Sequence, residues 1–112
     1  VSIAETNVVD VVGLDPEKKV VRLAISDHLG WDTPEEEKEH LWLFQEKLNA
    51  YLRFIESGEF YQTYPDAHGA KCEIELVAKY SLSVSGGRFF EQAKSIVQTA
   101  GFDLLYRVLT PR

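Results

Sequence analysis

The chain is short of the residues that announce a chemistry or a compartment. It has one cysteine, Cys72, no methionine, and no apolar run near the roughly 18 residues that a membrane-spanning helix needs. A single cysteine excludes an internal disulfide and fits a reducing compartment. No charged-then-apolar leader precedes the first apolar segment, so a cytoplasmic location is expected. With Val1 first and no methionine, the initiator is expected to be removed or to lie outside this sequence. Basic residues are scarce as well: 12 Lys and Arg stand against 18 Asp and Glu, a net charge of −6. The imbalance is uneven, with 13 acids and 6 bases in residues 1–60 and 5 acids and 6 bases in residues 61–112. No basic stripe is present to release counterions from a phosphate backbone, so neither nucleic acid nor a membrane is an expected partner. No motif for a cofactor stands out. None is expected, no residue is assigned as catalytic, and the reading leans away from an enzyme.

What the chain does contain is ordinary material for one core. Its 112 residues are 45% apolar and 12% aromatic, which suits a single domain, residues 1–112, that buries roughly two-thirds of its unfolded surface. Asn7–Leu14 and Val20–Ile25 are β-branched runs. Asp15, Pro16 and polar residues lie between them, so a hairpin is expected. Ser26–Asp32 reads as a loop. Thr33, Pro34 and Glu36 then spell a helix N-terminus with a capping box, and Gly58 follows Ser57 as a stop, giving a long helix over Pro34–Ser57.

Glu59–Ala70 begins as a possible helical extension and ends in a turn. Cys72–Tyr80 alternates strictly between apolar and polar residues and predicts a half-buried strand. Ser81–Gly87 reads as a polar connection into a helix over Gly86–Ala100, with Phe89, Phe90, Ala93, Ile96, Val97 and Ala100 as its apolar stripe. Gly101 ends it, and Phe102–Leu109 alternates as a last strand. The expected fold is α+β. It is a two-layer sandwich of order ββαβαβ, with a four-stranded mixed sheet and two helices packed on one face. Strands 72–80 and 102–109 should be parallel, joined by a right-handed crossover.

Three groups of residues could carry chemistry. Asp27, His28 and Asp32 share one loop, and His40 follows two turns into the long helix. Carboxylate and imidazole groups ligate zinc and other divalent ions, and they also form acid–base pairs. Their spacing matches no closed metal motif, and Asp27 and Asp32 are equally explained as turn or cap residues. Ser85, Gly86, Gly87 and Arg88 sit at a helix start, where bare amides and a guanidinium could hold an anion, although the Gly-Lys-Ser/Thr ending of a nucleotide loop is missing. Glu73 and Glu75 lie about 7 Å apart on one strand face, a spacing that any solvated strand supplies. Cys72 alternates with Ile74 and Leu76 and is expected to be a small core residue.

Three stretches resemble an uncharacterised family of small bacterial proteins known only as a domain of unknown function. They are I-S-D-H-L-G-W-D (Ile25–Asp32), Q-E-K-L-N-A-Y-L-R-F-I-E-S-G-E (Gln45–Glu59) and Y-P-D-A-H-G (Tyr64–Gly69). The resemblance runs from about Asn7 to Leu109 and implies a bacterial cytoplasmic protein with its function open. Ser81–Arg88 departs from the acidic and Ala-rich residues the family leads one to expect, which suggests a late start for the second helix.

The long helix carries more apolar surface than one core requires. Leu41, Phe44, Leu48, Tyr51, Leu52 and Ile55 fall on one stripe. Leu43 and Phe54 fall opposite, about 16 Å apart along the axis, and Trp42 lies on a flank. Trp42, Leu43 and Phe54 are therefore expected to form a contact surface for another chain, a second copy or a protein partner, or else for a second layer of the fold. The function expected is a small acidic, non-enzymatic interaction protein, an adaptor or immunity-type protein, most naturally a homodimer. The alternative is a small ligand- or metal-binding domain built on the Asp27/His28/Asp32 loop.

Overall fold

The computed structural model describes residues 3–5, 10–15, 17–65 and 69–109. Residues 7–9 of the expected first strand, and His68 in the expected turn, lie outside the described residues. The elements run β1 (Asp10–Asp15), β2 (Val20–Asp27), α1 (Pro34–Glu56), α2 (Glu59–Thr63), β3 (Lys71–Ala78), α3 (Val84–Thr99) and β4 (Asp103–Val108).

The hairpin β1–β2 closes around Asp15, whose Oδ1 accepts from the amides of Glu17 and Lys18 at 3.1 Å each. This is the local bonding that makes Asp a turn residue. The sheet order is β1-β2-β3-β4. β1 is antiparallel to β2 with a bulge at Val11/Gly13, whereas β2, β3 and β4 are parallel and in unbroken register. The chain is α+β as expected, with three helices and a three-stranded parallel core. The order is ββααβαβ, so ββαβαβ is corrected by one helix. Gly58 adopts φ +82° and turns the chain, and α2 restarts at once so that Phe60 enters the core. Enclosing a Phe is worth roughly 1.5–3 kcal/mol, enough to favour the bend over a continuous helix.

All three helices lie on the sheet face lined by Val21, Leu23, Ile25, Cys72, Ile74, Leu76 and Leu104. The other face is polar and paired across strands: Arg22 meets Glu73 at 3.1 Å and Arg107 meets Glu75 at 3.5 Å. Those pairs account for the two strand carboxylates without a catalytic role.

Helix α1 starts as its sequence dictates, with the Thr33 hydroxyl accepting from the Glu36 amide at 3.1 Å. The returning arm of the box reaches one residue further back, to the Asp32 amide at 3.3 Å. Its buried face keeps Phe44, Leu48, Tyr51 and Ile55 of the expected stripe but is rotated from it. His40 and Lys47 point inward beside Phe44, Leu48, Tyr51 and Ile55, while Leu41 and Leu52 are only half-buried. Helix α3 begins at Val84, earlier than expected, because Ser83 caps it by accepting from the Gly86 amide at 3.0 Å. The cap is worth about 1 kcal/mol and offsets part of the cost of the two glycines, each about 1 kcal/mol in a helix.

Candidate functional site

Asp27 is the last residue of β2, at the end of the parallel strands where open α/β sheets commonly place their sites. His40 lies opposite it on α1. Their side chains meet at 2.6 Å, Oδ2 to Nε2, and are 3% and 1% exposed. The remaining atoms are also engaged. Asp27 Oδ1 accepts from the Leu29 amide at 3.1 Å, and His40 Nδ1 donates to the Gly30 carbonyl at 3.0 Å. A carbonyl only accepts, so Nδ1 is the donor to Gly30, and the short Nε2 to Oδ2 contact is a hydrogen bond between ring and carboxyl. Trp31 stacks on the imidazole with ring centroids 3.7 Å apart and planes 19° apart. Gly86 backs the indole: a Cβ there would fall 2.9 Å from Trp31 Cη2.

This cluster is a clasp between strand, loop and helix. Neither ring nitrogen of His40 faces solvent, so the dyad has no free base to offer a substrate. His28 and Asp32 do not join it; both are exposed. Of the four residues expected to share a metal or ligand site, only Asp27 and His40 converge. No group of three or more metal-ligating side chains forms among the described residues.

The expected anion site is likewise reorganised. Gly86 and Gly87 lie inside the first turns of α3, and their amides bond to the side chain and carbonyl of Ser83 at 3.0 and 2.8 Å. Ser85 and Arg88 are exposed beside them. The glycine that matters here is Gly86, and it serves the packing of Trp31. Cys72 is enclosed as expected, and burial pushes its thiol above the ordinary value of 9.0, partly offset by a hydrogen bond with Tyr61.

The expectation of a separate outward apolar face on α1 is corrected. Leu43 and Phe54 are half-buried and pack against the core. Phe54 meets Phe60 of α2 edge-on at 5.7 Å. Ile3 and Phe60 enlarge the core on its flanks. Trp42 does project outward, at 56% exposure.

The apolar surface left open lies instead between α1 and α3. A groove of about 200 Å³ separates them, with Leu48 and Leu52 on one wall and Phe89, Ala93, Ile96 and Val97 on the other. Gln45, Asn49 and Gln92 complete its lining. Ile96, expected inside, is 64% exposed. The signal was present in the sequence as two apolar stripes wider than one contact needs, but single-helix periodicity could not say which flank would stay open. Trp42 lies on α1 just N-terminal of Gln45, on the adjoining flank of the helix.

No helix among the described residues is long and apolar enough to cross a membrane. Comparison with curated proteins and with solved structures yields no match. A protein-family comparison does give one, over residues 1–110 and so over nearly every element described above. The chain belongs to that family, a family of unknown function (DUF6572).

Proposed function

We propose that this protein is a binding module without chemistry of its own, and that the groove between α1 and α3 receives an apolar ridge on a basic protein partner. The observation that carries the reading is the open groove, with Ile96 held largely in solvent on its wall. A large aliphatic residue beside a half-open apolar cleft matches the buried centre of an interface better than it matches ordinary surface. The sign of the partner follows from α1. Glu35, Glu36, Glu37, Glu39, Glu46 and Glu56 surround its outer surface, against Lys38 and Arg53, since Lys47 is enclosed. Such a surface steers basic partners and repels acidic ones. The enclosed state of the Asp27–His40 pair supports the absence of catalysis there.

The test uses two amphipathic helical peptides with the same Leu ridge, one flanked by Lys and one by Glu. Binding is followed through Trp42 emission. The Lys peptide is expected to bind and the Glu peptide to bind at least tenfold more weakly, and Ile96→Asp is expected to abolish the Lys response. Equal binding of both peptides removes the basic preference, and an Ile96→Asp variant that still binds removes the groove as the docking site.

A further inference from the structure

The two edges of the sheet are not alike. β1 carries a bulge at Val11/Gly13, a device that twists an edge away from further pairing. β4 pairs regularly with β3 over all six residues, and no strand borders its other side among the described residues. Its backbone polarity can be read from its ends. The Leu109 amide donates to the Ala78 carbonyl at 2.8 Å, so odd-numbered residues turn their amides and carbonyls toward β3. Leu104, Tyr106 and Val108 therefore turn theirs to the open edge. In agreement, the Leu104 amide finds no strand partner among the described residues and donates to the Asp103 carboxylate at 2.9 Å.

We propose that β4 pairs antiparallel with β4 of a second copy, about a twofold axis through Leu105. Backbone parity demands that even residues face even residues, so the axis must pass through a residue or its equivalent and not between two. Of the registers near the strand centre, only the one on Leu105 places Asp103 opposite Arg107 of the second copy, twice by symmetry. Moving the axis to Leu104 or Tyr106 sets Arg107 opposite Gly101 or Leu105 instead. In the Leu105 register, Leu104 and Tyr106 form the hydrogen-bonded pair. Asp103/Arg107 and Leu105/Leu105 fall at non-hydrogen-bonded positions, where side chains stand closest.

Arg107 is exposed on the outer sheet face, anchored by Glu75. Asp103 has the same strand parity, and its Oδ1 sits at the strand edge, accepting from the Leu104 amide and from Gln98 Nε2 of α3 at 3.5 Å. When the Leu104 amide takes the Tyr106 carbonyl of the second copy, the Asp103 carboxylate gives up that bond, and with it the long contact to Gln98, to meet the guanidinium. The result is one continuous sheet of eight strands, four from each copy. Its twofold consumes both β4 edges and leaves only the bulged β1 edges outside, so assembly stops at two. The surface is separate from the α1/α3 groove and does not depend on it.

The test is a charge swap read by sedimentation equilibrium, with thermal melts confirming that each variant folds. Asp103 and Arg107 are about 13 Å apart along one strand and do not pair within a chain. Wild type is expected to be a dimer. Asp103→Arg and Arg107→Asp should each weaken it about tenfold or more, by placing like charges opposite one another. The double variant Asp103→Arg/Arg107→Asp should restore the dimer. Hydrogen exchange at the Tyr106 amide should slow as concentration rises. A monomer at every concentration sedimented, a dimer indifferent to the single swaps, or a dimer lost only through Ile96→Asp would each overturn the proposal. The last outcome would place the contact in the groove.

Discussion

Asp27 Oδ2 and His40 Nε2 stand 2.6 Å apart with both side chains enclosed, joining the end of β2 to the second turn of α1. The pair holds closed the whole loop between them. Removing one member leaves the other enclosed without its partner, a change that costs about 3–5 kcal/mol in comparable buried pairs. Asp27→Ala and His40→Ala are each expected to lower unfolding free energy by about that amount. The double variant Asp27→Leu/His40→Leu should lose less than the sum of the two, because no orphaned polar group remains. Urea denaturation measures all three. Two single losses below about 1 kcal/mol would show that the clasp does not hold the loop.

The consecutive glycines of α3 separate packing from propensity. A Cβ at Gly86 meets Trp31 at 2.9 Å, whereas one at Gly87 has nothing within 4 Å. Gly86→Ala is therefore expected to destabilise by roughly 1–3 kcal/mol, the usual penalty of overpacking, and to shift Trp31 emission as the indole leaves His40. Gly87→Ala is expected to stabilise by roughly 0.5–1 kcal/mol through helix propensity alone. Opposite signs from the same substitution at adjacent positions are what a thermal melt would read. Equal effects would mean that Trp31 does not rest on Gly86.

Cys72 and Tyr61 predict how stability responds to alkali. Burial, chiefly, raises the Cys72 thiol above 9.0 and the Tyr61 hydroxyl above 10.0. Both groups hold their protons more tightly folded than unfolded. Stability is therefore fully present below about pH 9, where both states are protonated. It falls as pH rises past the unfolded values, since the unfolded chain then releases protons first. Cys72→Ala is expected to flatten the decline that begins near pH 9, while the native thiol should resist a disulfide reagent at pH 8 until the chain is unfolded. A decline unchanged by Cys72→Ala would assign it to other groups.

The boundaries of α1 were legible because Thr33, Pro34 and Gly58 act through their own backbone bonds, which need no tertiary partner. Alternation placed β3 and β4 for the same reason. His40 and Lys47 were not legible as inward residues. Periodicity scores a polar side chain as outward, and only the carbonyls and carboxylate that the fold brings to them reverse that choice. Leu43 and Phe54 stood out as surplus because a single helix does not reveal the walls that Ile3 and Phe60 add to its core. Ser81–Gly87 read as a polar connection because its serines and glycines carry no apolar stripe, and the Ser83 cap acts only once the backbone around it is formed. The separation of Asp27 and His40 from His28 and Asp32 was equally hidden, since sequence proximity in a loop does not fix which side chains turn inward.

Lys47 offers a test of how the first residues are held. It is fully enclosed, passes within 5.5 Å of the Tyr51 ring centre, and donates from Nζ to the Glu5 carbonyl at 2.7 Å. Ile3, two residues away, is itself enclosed and donates its amide to the Ser26 carbonyl at 2.8 Å. The ammonium thus ties a short segment that closes one flank of the core. Lys47→Met keeps most of the stem volume and removes the donor, so the expected loss is about 1.5–3 kcal/mol, the worth of a hydrogen bond from a charged group. It should fall first on the segment it anchors: the Ile3 amide should exchange with solvent markedly faster, and by a larger factor than amides in β3. If exchange at Ile3 is unchanged and protection is lost evenly across the sheet, Lys47 is stabilising the core as a whole and the tie to Glu5 is incidental.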